Sequence, residues 1–479
     1  MRRLHPETLG DVDSSVSTPR YDYQQVQAGI VHLGLGAFHR AHQAVYTEAA
    51  MEKNGGNWGI IGVSLRSTTV FEQLAPQGYL YSVVSEDAQG QASQIIGAIR
   101  EVLVAPRDPG RVAAAIANPD IALVTLTVTE KGYCLASDGC SLNREDQQIA
   151  HDLANPLQPA SAVGILALGL QQRLAQGGAP LTVLSCDNLI SNSKVLKGVL
   201  SDYLQSSFPE VLPWLENNTS FPCSMVDRIV PASTPRQKQN HALALGVVDE
   251  GAVFTEPFSQ WVIEDRFCAG RPAWEAVGAQ LVEDVIPYEG IKLRLLNATH
   301  SAIAYCGLVA GLKTVDQVMT DKDISAFVKE LMAVDLIPTL HIPETFDIYA
   351  YSDQLLTRLA NPALNHRCSQ IAMDGCEKIS QRWLPTFQAA PNAGFLCKAL
   401  STWCYFILHT EQKIDDPKSD ALYALRASPQ SNESRLPALL SHARMTTNNM
   451  PDFAKLCSTV VKQMSLIDAR GMIALLRDV

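Results

Sequence analysis

Lys292, Asn297 and His300 lie close together in Lys-Leu-Arg-Leu-Leu-Asn-Ala-Thr-His, a run that is otherwise apolar. An amine, an amide and an imidazole are three different tools. A lysine whose pKa burial lowers exchanges a proton near neutral pH, an asparagine orients a developing oxyanion, and an imidazole holds a hydroxyl. On an α-helix turning about 100° per residue, Asn297 falls about 140° and His300 about 80° round from Lys292, so all three can point from one flank into a single cleft. The same spacing fits an amphipathic helix with a snorkelling lysine and a core histidine, and the rest of the chain has to decide between the two.

Groups of that kind work only where a framework holds them. Ile30-Val-His-Leu33 runs into Gly34-Leu-Gly36-Ala37-Phe38-His39-Arg40, the pattern of a buried strand, a glycine turn and a helix start, after a polar lead of about 28 residues. Gly34 would make the tight turn and Gly36 would let the backbone approach a pyrophosphate, whose charge the helix start favours. The cofactor candidates are Gly34, Gly36, Ala37, Phe38, Arg40 and Arg66. His39 stands where the usual dinucleotide fingerprint has a small residue, so the turn alone is a weak signal. His39 and His42, three apart, have no third metal ligand nearby, and no metal is expected. The stretch 58–63 reads as the second strand, but Ser64-Leu-Arg66 follows it where an acidic residue would hold the adenosine ribose, which leaves NAD and NADP both open at the level of residues. Further strands are expected at 80–84, 95–99, 121–128 and 181–185, with a helix over about 160–176. The strands 121–128 and 181–185 end in Thr129-Glu130 and Asp187-Asn188, where open α/β sheets place their ligands. Around Asp227 and from Glu256 to Asp265 the pattern is one of structured loops or short strands.

Beyond residue 284 the strand signals thin and helical spacing takes over. The expected fold class is therefore α/β, with a Rossmann-type dinucleotide-binding domain over 1–284 and a mostly α-helical substrate and catalytic domain over 285–479. In the second domain, Arg367, Gln370, Lys378 and Arg382 crowd around Asp374-Gly375, a basic segment suited to an acidic substrate or to a solvated face. A net charge of -11 lacks the basic footprint of phosphate-backbone binding, so nucleic acid is not an expected partner. No stretch approaches the roughly 18 uninterrupted apolar residues of a membrane span, and no apolar core follows the basic start. Eleven scattered cysteines without paired short spacings suit reduced thiols, and the expectation is a cytoplasmic protein of unknown oligomeric state.

Taken in order, Gly34-x-Gly36-x-Phe38-His39-Arg40, Thr129-Glu130-Lys-Gly-Tyr133, Ser185-Cys-Asp-Asn188, Asp227-Arg-Ile, Glu289-x2-Lys292-x4-Asn297-x2-His300 and Asp374-Gly-x2-Lys378 resemble the long-chain mannitol dehydrogenase family over residues 30–385. Within that family the likeness is strongest to the uronate reductases that interconvert D-fructuronate and D-mannonate, through residues 125–133 and 260–265. The resemblance implies metal-independent hydride transfer between a nicotinamide, NAD with NADP not excluded, and a polyol or small keto sugar acid. It implies Lys292 as general acid/base, Asn188 and Asn297 as donors to the reacting oxygen, and His300 as a ligand of a substrate hydroxyl. Asp227 and Lys378 match substrate-pocket positions, joined here by Arg367 and Gln370, and Glu289 and Glu130 match carboxylates that exchange protons with solvent. Three departures stand out. Gln370 replaces an arginine of mannitol-type members, Ser193 replaces a glycine after Asn192, and Cys376 replaces a serine after Asp-Gly. The alternatives within the family are tagaturonate reductase and mannitol 2-dehydrogenase activity. The alternative outside it is a catalytically inactive nucleotide-binding regulator, against which intact Lys292, Asn188, Asn297 and His300 argue.

Overall fold

The computed structural model describes residues 1–136 and 138–477. The chain divides into two compact units, Met1–Ile286 and Pro287–Val479.

The first unit is built on β1 (Ala28–Leu33), whose residues beyond Ala28 and Gly29 are apolar apart from His32 and are all buried, as a strand covered on both faces requires. It lies at the centre of a six-stranded, all-parallel sheet with β2 (Gly59–Ser64), β5 (Ile99–Val104), β6 (Leu123–Leu126), β7 (Leu181–Ser185) and β8 (Thr219–Ser220), in the order β5-β2-β1-β6-β7-β8. Strand order reverses between β2 and β6, on either side of β1. A ligand crevice is expected just beyond the carboxyl ends at that point, which is where Gly34 and Thr127 stand. At the opposite end the buried Arg173 gives its donors to five carbonyls, those of Ile116, Asn118, Ile121, Ala179 and Pro180, and so ties the loops that feed β6 and β7.

Two smaller sheets depart from the expected pattern. The strands β3 (Tyr81–Asp87) and β4 (Gly90–Ile96) form an antiparallel hairpin that joins β10 (Val253–Thr255) in a separate sheet. The expected strand over 95–99 is in fact two strand ends, since β4 stops at Ile96 and β5 starts at Ile99. The segments around Asp227 and Glu264 form β9 (Ser224–Asp227) and β11 (Gln260–Glu264), paired antiparallel, with β12 (Gln280–Val282) alongside β11. The polar lead is folded onto the unit. The amide of Leu4 donates to Val248 O at 2.8 Å, Val248 N returns to Arg2 O at 2.8 Å, and the Tyr21 hydroxyl reaches Glu48 at 3.0 Å.

Every regular element described after β12 is helical. The second unit is organised around the helix Ala298–Val309, buried on nearly all sides and packed by Gly394–His409, Cys368–Ile371 and Val315–Thr320. The residues just before it do not continue as α-helix. Lys292–Asn297 forms a π-helix, with bonds from i to i+5. Asn297 therefore follows Lys292 by about one wider turn and stands near it on the same flank, rather than the wide angle that α-helical spacing gives.

Candidate active site

In the first unit the candidate groups collect at the carboxyl ends of β1, β6 and β7. The amides of Gly34 and Leu35 both donate to Val63 O at 2.9 Å, which folds the turn back over β2. Gly34 has φ +96, and a Cβ there would lie 2.2 Å from Thr127 O, so the fold itself demands glycine. Gly36 differs. Its backbone is extended, and a Cβ would meet nothing nearer than Gly34 O at 3.8 Å, so the space along the turn is open. The amides of Ala37 and Phe38 open the helix α1 (Ala37–Ala41) and have no carbonyl one turn behind them. Open space beside Gly36 and unclaimed amide donors are what a pyrophosphate needs, so these residues fit a dinucleotide.

Arg40, a cofactor candidate from the sequence, faces the other way. Its guanidinium is buried, donates to Gly36 O at 3.3 Å and to Gly251 O, and lies over the Tyr81 ring, holding the turn from behind. Arg66 is exposed two residues beyond β2, in a loop closed by Ser64 Oγ donating to Ser67 O at 2.6 Å. His39, in the place of the third small residue, stacks flat on His32 of β1 with ring centroids 3.4 Å apart. Thr127 Oγ1 donates to Gly34 O, so His32 Nε2 must donate to Thr127 and Nδ1 must accept from Thr125 Oγ1 at 2.8 Å. Burial holds His32 neutral, down to about 3, and keeps His39 well below the usual imidazole range.

Asp187 joins the ends of β6 and β7. Its buried carboxylate accepts from Val128 N at 3.0 Å, Thr129 N at 2.9 Å and the Tyr133 hydroxyl at 2.8 Å, while Ser185 Oγ pairs with the same phenol. Burial raises its pKa against the pull of those bonds. Thr129 sits at φ +67, ψ 163, a region otherwise reserved for glycine, and Glu130 follows it directly. Glu130 and Asn188, both exposed, thus project from strand ends tied through one carboxylate. Asn192 extends the tie by donating to Asp187 O at 2.9 Å and Ser224 O at 2.7 Å, which brings in β9, whose last residue is the buried Asp227. Ser193, the departure from glycine, accepts from Ser185 N at 2.8 Å and steadies the end of β7.

In the second unit Glu289 is buried on Ile286–Ile291, Lys292 and Asn297 are half-buried at the two ends of the π-helix, and His300 follows in the helix Ala298–Val309. Arg382 donates to Asn297 O at 3.1 Å and Ser301 Oγ at 2.8 Å, and Trp383 Nε1 donates to Ala298 O at 3.1 Å. Lys378 Nζ donates to Ile371 O at 3.1 Å. Burial first, then the neighbouring His366 ring and the cations Arg382, Arg358 and Lys378, push His300 well below the usual imidazole range. Two of these neighbours escaped the sequence reading. His366 lies edge-on to His300 with ring centroids 4.8 Å apart, and Arg358 comes from the helix Ile348–Leu359. Neither carries a spacing signal, because both are brought in by the packing of distant segments.

Arg367 and Gln370 are placed elsewhere. Both are exposed and line a concavity of about 420 Å³ with Tyr305, Lys413 and Asp415, whose lining includes none of Lys292, Asn297, His300, Lys378 or Arg382. The reason is the short helix Cys368–Ile371: it buries Cys368 and Ile371 and turns Ser369 and Gln370 outward, and Arg367 precedes it as the exposed N-cap residue. Cys376 donates its amide to Asp416 at 2.8 Å, and burial pushes its thiol up to about 12, so it serves as a neutral packing group.

Two family models match the chain, the mannitol dehydrogenase Rossmann domain over residues 28–276 and the mannitol dehydrogenase C-terminal domain over residues 284–468. Among curated relatives, an uncharacterized oxidoreductase, YeiQ, of Escherichia coli (strain K12) is 41% identical, covering 91% of each chain, and the D-mannonate oxidoreductase of the same organism is 38% identical, covering 97% of this chain and 98% of that protein. A solved structure of Pseudomonas fluorescens mannitol 2-dehydrogenase, in ternary complex with NAD and D-mannitol, superposes with a TM-score of 0.88 at 31% identity over 99% of both chains.

Proposed function

The chain belongs to the mannitol dehydrogenase family of oxidoreductases, and from that premise we propose that it interconverts D-fructuronate and D-mannonate with NAD. The observation that carries the substrate class is the gathering of Arg382, Arg358 and Lys378 around His300, since three cations that close favour a sugar bearing a carboxylate over a neutral polyol. The likeness to the D-mannonate oxidoreductase along nearly the whole chain supports the same reading. Lys378, Arg382 and Arg358 take the carboxylate in this proposal, and Arg367 and Gln370 fall outside it.

The dinucleotide, held along Gly34, Gly36, Ala37 and Phe38, supplies the hydride acceptor in oxidation and the donor in reduction. The rest is the work of the chain's own residues. Lys292 delivers a proton to the oxygen that becomes the alcohol and removes it in the reverse direction. Asn188 and Asn297 donate to that oxygen as it gains charge, a contribution on the order of 3 kcal/mol for a single donor of this kind. His300 holds a neighbouring hydroxyl, Asp227 orients the sugar, and Glu289 and Glu130 pass the proton to and from water.

Initial rates of NADH oxidation with fructuronate, tagaturonate and fructose test the reading. Fructuronate is expected to give the highest kcat/KM. Fructose equal to it overturns the uronate assignment, and tagaturonate ahead of it moves the activity to the epimer. Lys292→Ala is expected to bind NADH normally and to lose about 10²- to 10⁴-fold in turnover, the usual worth of a positioned acid/base. A loss below about threefold removes Lys292 from the mechanism. NADPH with a higher kcat/KM than NADH would reverse the cofactor choice and point to Arg66 as the group meeting a 2′-phosphate.

A further inference from the structure

His300 Nε2 and His366 Nδ1 are buried, and neither has a hydrogen-bond partner among the described residues. Buried ring nitrogens are nearly always bonded, so two orphans on rings in contact leave hydrogen-bonding groups that a ligand can meet. The backbone that carries His366 is fixed. Val315 N donates to His366 O at 3.0 Å, Cys368 N donates to Lys313 O at 2.9 Å, and Arg367 bridges to Thr314 between them. The helix Cys368–Ile371 that follows packs on Ala298–Val309, the helix of His300. The ring is therefore held at a set height beside His300, edge to face at 4.8 Å. Lys378 acts on both rings, so the two imidazoles and one ammonium share a neighbourhood.

We propose that His366 is a second substrate-binding imidazole, which together with His300 grips the hydroxyl-bearing chain of the sugar acid and sets specificity. A neutral imidazole offers one donor and one acceptor, which is what a hydroxyl requires in return. Two of them at contact distance match a pair of neighbouring hydroxyls, and Lys378 stands beside the pair for the carboxylate. The placement of substrate at His300 rests on the proposed function above. The identity of the second ring does not depend on which sugar wins.

His366→Phe keeps a ring against His300 and removes both nitrogens, whereas His366→Asn keeps a polar group of smaller size. Steady-state rates with fructuronate and fructose are measured for both variants, with calorimetric titration of D-mannonate and D-mannitol into the enzyme with NAD as a readout free of turnover. His366→Phe is expected to raise KM for fructuronate and Kd for D-mannonate roughly tenfold, the effect of losing one buried bond, with KM for NADH unchanged and kcat within about threefold. His366→Asn is expected to recover part of the loss. KM and Kd within about twofold of wild type in His366→Phe overturn the inference and leave the ring as packing. If His366→Phe does not fold, His366→Asn decides by the same measures, a wild-type Kd overturning the inference. Wild-type enzyme that prefers fructose and D-mannitol refutes the uronate reading alone, because His366→Phe must then still weaken D-mannitol.

Discussion

Asp187 is acceptor for two backbone amides and a phenol, and one of those amides belongs to Thr129, a β-branched residue held where glycine belongs. Such a conformation costs about 1 to 3 kcal/mol and survives only where its surroundings enforce it. The carboxylate is the enforcing group, and what it aims is Glu130 on one side and Asn188 on the other. Asp187→Asn leaves one of its three donors without an acceptor and is expected to lose about 1 to 3 kcal/mol in denaturant unfolding, together with a fall in kcat. Thr129→Gly relieves the strain and is expected to raise stability by about 1 kcal/mol while kcat still falls, because Glu130 is no longer aimed. Parallel changes in stability and kcat for Thr129→Gly would show that the strain has no part in positioning. The sequence displayed Glu130 and Asn188 but not this tie, since a carboxylate beside an asparagine reads like any polar strand end until the strands are paired.

At the level of elements, the two glycines of the first turn do different work, and a pair of substitutions separates them. Gly34→Ala places a Cβ against the backbone oxygen of Thr127 and forces a left-handed φ on alanine, so the β1 and β6 ends must part. A loss of about 3 kcal/mol or more is expected, with nucleotide binding lost as a result. Gly36→Ala enters open space. Its thermal unfolding is expected to match wild type, while NADH binding measured by fluorescence weakens at least about tenfold because the methyl takes the ground of the pyrophosphate. Unchanged NADH affinity in Gly36→Ala would place the cofactor elsewhere. The strand-turn-helix order and the long parallel strands were legible in the sequence because buried strands are continuous apolar runs and turns carry glycine. Three features were not. The hairpin β3–β4 belongs to its own sheet, a matter of long-range pairing with β10. The π-helix has no composition of its own and looks like any helical run. The outward turn of Arg367 and Gln370 depends on which side of a four-residue helix meets the core.

For the molecule as a whole, buried histidines set the response to acid. His32 and His39 stay neutral in the fold, whereas in the unfolded chain both take up a proton near 6.5. The native state therefore binds fewer protons below 6.5, and their contribution is complete above that pH and is lost as pH falls. Glu48, buried and pushed up to about 7, acts in the opposite sense: its contribution is complete below 4.5 and is lost as pH rises through 7. Between pH 6.5 and 5.5 His32 loses about 1 kcal/mol, His39 and His300 add to the loss, and Glu48 returns about 1 kcal/mol. The melting temperature is expected to drop across that interval, and Glu48→Gln, which keeps the oxygen that Gly97 and Tyr21 use, is expected to make the drop steeper. A melting temperature that stays level or rises on acidification would contradict the neutral assignment of these rings. All eleven cysteines are free thiols, and Cys140 and Cys268 are the exposed ones, so the same scans require no reductant to break a bond.

The strand-like exchange between Leu4 and Val248 has a consequence for the order in which the protein is made. The first residues leave the ribosome well before the segment they bind, by about 10 to 50 s at ordinary rates of synthesis. In that interval β1, β2, β5, β6, β7 and finally Ser220 of β8 emerge, so the parallel sheet can close while Arg2 and Leu4 are still waiting. Arg2 and Leu4 are then fastened over a surface already formed behind them, whereas Ser17 and Tyr21 meet partners made earlier, at Ser93 and Glu48. Docking of Leu4 reports that translation has passed Val248, before β10, β11 and β12 have completed the unit.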